Sequence, residues 1–203
     1  VTEANAKAGA LASLLREVRA CRLCAAHLPL GPRPILHVSG TARVLIASQA
    51  PGTKVHQAGL SFWDLSGDRL RAWLGVDKAL FYDESRIGIV PMGLCYPGRL
   101  PAGGDAPPRP ECAPLWRRRI LAAMPAVRLT LLVGTYAQEE AARQEGWPPA
   151  RMTDRVRDFQ RYLPRYFPLP HPSWRTAEWE RKNTWFGEAV LPSLRQAVRE
   201  ALA

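Results

Sequence analysis

No apolar run in the 203 residues approaches the ~20 that a membrane-spanning helix needs, so no span is expected. The first residues lack a basic segment followed by an apolar core; no secretory leader and a cytoplasmic place are expected. Internal repeats and low-complexity tracts are missing, which sets repeat architectures aside. There is no Gly-x-Ser-x-Gly, no Walker loop and no Gly-x-Gly-x-x-Gly, so the common hydrolase, nucleotide-phosphate and dinucleotide sites find no support. The zinc-deaminase pattern of His-x-Glu followed by Pro-Cys-x-x-Cys is absent too. Acidic residues are scarce: 18 Asp plus Glu stand against 28 Lys plus Arg, a net charge of +10. That balance favours polyanionic partners, nucleic acid first and acidic membrane surface second.

What is present suits one domain, since 47% of the residues are hydrophobic and the length matches a single core. Residues 5–20 read as an amphipathic helix, with Leu11, Leu14, Leu15 and Val18 on one face. Residues 25–42 read as an irregular connection. Val44–Ala47 is a short continuous apolar run, the pattern of a strand buried on both faces. His56 to Asp64 reads as loop, and Ser66 is placed to cap a helix that Gly75 terminates. Further strands are expected around Arg86–Met92, Leu129–Val133 and Phe167–Leu169. Leu115, Trp116, Ile120 and Leu121 form the inward side of a helix, and a C-terminal helix carries Pro192 in its first turn. Strands alternating with helices imply a three-layer α/β/α domain around a four-stranded, mostly parallel sheet.

Two strand ends carry polar residues on stiff loops. The first strand stops at Ser48-Gln49-Ala50-Pro51-Gly52, where proline removes a donor and glycine permits a close approach. The last apolar run ends at His171-Pro172-Ser173, with His171 held between Pro170 and Pro172. Parallel strands put both loops at one sheet edge, where ligands of open α/β sheets bind. Four cysteines complete the inventory: the close pair Cys21 and Cys24, then Cys95 and Cys112 separated by sixteen residues rich in Pro and Gly. Four thiolates suit a tetrahedral zinc or a [4Fe-4S] cluster. Free buried thiols are the plain alternative, and disulfides are not expected without a leader.

These motifs together resemble the uracil-DNA glycosylase superfamily, in particular its iron–sulfur branch. That branch carries Gly-Glu-Ala-Pro-Gly after its first strand and His-Pro-Ser near its end. The counterparts here are residues 48–52 and 171–173, and Gly59-Leu60-Ser61-Phe62 matches the family's Gly-x-Pro-Phe. The resemblance runs from about Cys21 to the C-terminus and implies that the four cysteines hold a [4Fe-4S] cluster. It implies hydrolysis of the N-glycosidic bond of uracil or another deaminated base in DNA. His171 is then the donor to the departing base and Phe62 the wall on which the base stacks. Ala50, Pro51 and Gly52 shape the pocket, Ser173 holds phosphate, and Trp174 or Arg175 wedges into the vacated stack.

Two positions depart from the branch. Gln49 stands where the family has Glu and cannot act as a base, though it can position water or a base edge. Pro91 stands where the family has an Asn that reads the uracil edge. Asp64 and His56 are the nearby groups that could replace the missing carboxylate. The competing reading is a catalytically weak or inactive nucleic-acid-binding protein on the same fold. Either way a monomer is expected, binding DNA with low sequence preference, with Arg181 and Lys182 as further contacts.

Overall fold

The computed structural model describes residues 3–203. Helix α1 (Glu3–Arg19) turns its Leu14 and Val18 into the interior. The connection to strand β1 (Val44–Ala47) is less irregular than its sequence: His37 and Ile89 exchange both backbone hydrogen bonds at 2.9 Å, an antiparallel bridge to the sheet edge. The loop expected from His56 onward is helical at its start: helix α2 (Thr53–Ala58) forms because Gly52 supplies an extended N-cap and Gly59 a left-handed C-cap. Helix α3 (Leu65–Leu74) is capped by Asp64 rather than by Ser66. The Asp64 carboxylate accepts from Gly67 N–H at 3.0 Å, the third helical position an N-cap side chain reaches. Gly75 ends α3 in the left-handed region, as its sequence predicts.

Helix α4 (Lys78–Phe81) leads into strand β2 (Ile87–Ile89). A π-helical turn, Ala113–Arg117, opens helix α5 (Arg118–Ala122). The wider turn rotates Leu115 out of the inward face expected for it, leaving it 41% exposed while Trp116 and Ile120 stay buried. Strand β3 (Leu129–Val133) passes through Gly134 into helix α6 (Thr135–Glu145). Helix α7 (Met152–Arg157), strand β4 (Tyr166–Leu169), helix α8 (Thr176–Lys182) and helix α9 (Leu191–Leu202), with Pro192 in its first turn, complete the chain.

The four strands form one parallel sheet in the order β2-β1-β3-β4. Their side chains alternate between two apolar layers, the period-two pattern of a pleated strand. Val44, Ile46, Leu131 and Phe167 face a core closed by Trp73 of α3 and by Leu194 and Val198 of α9. Leu45 faces the opposite side, under Val18 of α1 and Ile120 of α5, and Ala47 and Leu132 pack under Ala137 and Ala141 of α6. The result is the three-layer α/β/α arrangement. The chain runs outward from β1 in both directions, to β2 and to β3, so the carboxyl ends of the central strands flank a switch point where a cleft forms.

Candidate active-site cleft

A cleft of about 600 Å³ opens over the carboxyl ends of the strands. Its floor is residues 48–52, fixed to the loop after β2 because Met92 N–H donates to Ser48 O and Gly93 N–H to Gln49 O, at 2.8 and 2.9 Å. This extends the β1–β2 pairing and lays Pro91 beside the floor. Gln49, Ala50, Pro51, Gly52 and Pro91 all line the cleft.

His171 enters from the far strand. Gln138 Nε2 and Gly134 N–H both donate to Leu169 O, at 2.9 Å each, which fixes the end of β4. Gly134 adopts φ 84°, and a Cβ there would stand 3.4 Å from His171 Cβ, so glycine allows the histidine to lie against the end of β3. Beyond His171 the loop is pinned from inside. The Thr176 hydroxyl donates to His171 O, Ser173 N–H does the same at 2.8 Å, and Arg69 Nη1 donates to Ser173 O at 3.0 Å. Desolvation pushes the His171 imidazole below its ordinary value, with the charges of Asp64 and Asp105 opposing. At neutral pH the ring is therefore uncharged, with one N–H to donate.

Phe62 lines the cleft while its ring packs edge-on against Phe81, 6.2 Å between centroids. Its backbone lies in the left-handed region at φ 57°, which a bulky residue rarely adopts. Two neighbours hold it there. Tyr82 Oη donates to the Ser61 and Phe62 carbonyls at 3.0 and 3.2 Å, and Gly67 leaves room for the Phe62 carbonyl, which any Cβ at that position would overlap. On the rim, Ser173, Trp174 and Arg175 also line the cleft. Trp174 is 78% exposed with the Arg175 guanidinium 5.4 Å from its ring.

Of the two groups considered as substitutes for the missing carboxylate, Asp64 lines the cleft but caps α3 with its carboxylate. His56 is buried in α2, beside Tyr96, and is not part of the cleft wall. Arg181 and Lys182 lie on α8 away from the cleft, and Lys182 is paired with Glu178 at 2.7 Å. One wall was not anticipated. Within the Pro- and Gly-rich segment between Cys95 and Cys112, residues 98–106 fold into a small hairpin with Arg99 bridged to Asp105. It brings Arg99, Leu100 and Asp105 to the cleft. The only trace in the sequence is the spacing of Gly98, Gly103 and Gly104, which a tight turn requires.

Behind this segment, Cys21, Cys24, Cys95 and Cys112 line one small, apolar hollow. Leu94 N–H points at Cys112 Sγ, 3.3 Å away, and burial pushes the Cys112 thiol up to about 11. The thiols of Cys24 and Cys95 are also raised, by burial first. Among the described residues, no three His, Cys, Asp or Glu side chains stand so as to share a single metal ion. A tetrahedral zinc draws its sulfurs to within about 4 Å of one another. Four Cys side chains around one hollow are the donor type and number that a [4Fe-4S] cluster takes.

A cleft at the carboxyl edge of an all-parallel sheet, walled by an aromatic ring and a rigid histidine, defines a small-ligand site of the doubly wound α/β class. The chain belongs to the uracil DNA glycosylase superfamily, whose family model matches residues 37–195. The solution structure of a "putative Uracil DNA glycosylase" from Methanosarcina acetivorans is similar to this chain with a TM-score of 0.46 at 15% identity, over 81% of this chain and 97% of that one.

Proposed function

We propose that this protein is a DNA glycosylase that hydrolyses the N-glycosidic bond of uracil or another deaminated base. The observation that carries the reading is the meeting of His171 and Phe62, 109 positions apart in the chain, in one cleft on a rigid frame. A base flipped from the stack enters the cleft and stacks on Phe62. As the bond breaks, negative charge gathers on the base, and the neutral His171 donates a hydrogen bond to it. Ser173 and the loop amides receive phosphate, and Trp174 or Arg175, on the rim of the cleft, is the wedge that fills the vacated stack. The four cysteines hold a [4Fe-4S] cluster that ties the end of α1 to the 95–112 segment, a structural role. Purified without oxygen, the protein is expected to carry about four irons and four sulfides per chain; zinc instead of iron, or neither, refutes that assignment.

The decisive experiment offers oligonucleotides carrying uracil, hypoxanthine or xanthine and measures abasic sites. Release of at least one base is expected, in amounts stoichiometric with enzyme or greater. A specific observation keeps the second reading, a DNA binder without catalysis, in view. Pro91 lines the cleft and brings no hydrogen-bonding side chain to a base edge. Salt-sensitive DNA binding with no base released from any of the three substrates would favour it.

A further inference from the structure

Hydrolysis needs a group to take a proton from the attacking water, and the polar groups on the cleft floor are already committed. Gln49 Nε2 donates to Ala106 O at 3.1 Å, and an amide takes no proton in any case. The Asp64 carboxylate caps α3. His56 is outside the cleft. Asp105 remains. It faces the open cleft, and among the described residues its carboxylate accepts no hydrogen bond and joins no ion pair.

The fold delivers that carboxylate to a defined place. The 98–106 hairpin is closed by Leu100 N–H to Gly104 O and Ala106 N–H to Gly98 O, at 3.0 and 2.9 Å. Its turns use positive φ at Gly98, Gly103 and Gly104. A Cβ on Gly52 would stand 3.3 Å from Asp105 Oδ2, so the carboxylate rests against the bare backbone of the floor loop, three residues from Gln49. The Gln49 bond to Ala106, the next residue, fastens the hairpin to that floor. The glutamine therefore occupies the family's carboxylate position while holding another carboxylate beside it.

We propose that Asp105 is the catalytic base of this glycosylase and that Gln49 is the positioning residue that holds it; the proposal rests on the glycosylase reading. The bond between the base and C1′ breaks with its electron pair going to the base, whose oxygen receives the His171 hydrogen bond. Water forms the new C1′–O bond and passes its proton to the Asp105 carboxylate. Asp105 returns that proton to solvent, and the released base anion takes one up. Several groups face this carboxylate. Desolvation in the cleft pushes the Asp105 carboxyl above the usual aspartate value, Arg99 pulls it back, as does His171 once acid has protonated it, and Asp64 adds to the push. Arg175, whose guanidinium lies against Gly104, is a further cation on that side.

The test is single-turnover excision across pH, on the base that wild type releases, for the full chain and three variants. Wild-type rate should rise with pH along an acid limb lying above the ordinary aspartate range. Asp105→Asn should fall roughly a hundredfold or more and lose the limb. Asp105→Ala should recover activity with added formate, a response a merely structural aspartate does not give. Asp64→Asn, which can still cap α3, should keep the acid limb. DNA binding and melting temperature check that each variant is folded. An Asp105→Asn enzyme that keeps both rate and limb, or an acid limb lost in Asp64→Asn instead, overturns the proposal and leaves the glycosylase reading standing. A wild type that releases no base overturns both.

Discussion

His171 owes its placement to its neighbours. Prolines on both sides limit its backbone, Gly134 gives it space, and Thr176 and Ser173 hold its carbonyl. Little is left to organise at this side chain, which is what the proposed role as donor to a developing anion requires. Replacing His171 with Ala should therefore slow single-turnover excision by roughly 10²–10³-fold, about 3–4 kcal/mol at the transition state. DNA affinity at fixed salt should change far less, because phosphate contacts carry most of it. A rate that survives the substitution places the catalytic centre elsewhere. The rigid placement of this histidine at the cleft was legible in the sequence, because prolines on both sides stiffen its backbone. Asp105 was not legible: its role depends on a hairpin closed by backbone bonds between residues whose side chains carry no periodicity.

Among the elements, α3 does more than cover the sheet. Its first turn starts at Asp64 and reaches Gly67 just where the Phe62 carbonyl points inward. A left-handed phenylalanine costs on the order of 1–3 kcal/mol and persists only where its surroundings dictate it. Gly67→Ala removes the space for that carbonyl, forcing backbone to move. We expect about 3 kcal/mol lost in denaturant melts, with excision impaired as Phe62 shifts. Gly187→Ala is the control, since nothing lies within 4 Å of a Cβ there; it should be neutral or gain about 0.5 kcal/mol. Equal losses in the two variants would show that the Phe62 turn is not what makes Gly67 necessary. The long periodic elements were readable in advance: the α1 face, the buried strands and the Gly75 stop follow from apolar spacing and a left-handed cap. Short helices such as α2 and α4 were not, because four to six residues contain too little periodicity to separate helix from loop.

For the molecule as a whole, one buried group is expected to weaken the fold in acid. His37, 4% exposed at the sheet edge and without a partner for Nδ1, is pushed down to about 4 by burial. Its folded value lies below its unfolded value, so the stability it contributes is complete above about 6.5 and is lost as pH falls toward about 4. That loss comes to roughly 3 kcal/mol over the interval. Glu84 and Glu180, both raised by burial, work in the opposite sense. The comparison that isolates His37 is therefore wild type against His37→Phe, each melted in denaturant at pH 7 and pH 4.5. Wild type should lose more stability on acidification than the variant; parallel losses would acquit the histidine.

The covering of the sheet also sets an order of events during synthesis. Leu194 and Val198 of α9, made after all four strands, close the core over Val44 and Ile46 of β1, made about 150 residues earlier. Until α9 emerges from the ribosome, that face of the growing sheet is covered only in part, by Trp73 of α3 and its neighbours, and β4, which carries the His171 loop, has barely appeared. The apolar strands must wait exposed for most of translation, since their partners are distant in the chain and close slowly. Shielding of apolar surface at the ribosome exit is consequently expected to raise the yield of folded protein, and a chain cut short before α9 should lack the full cover over the sheet that carries the cleft.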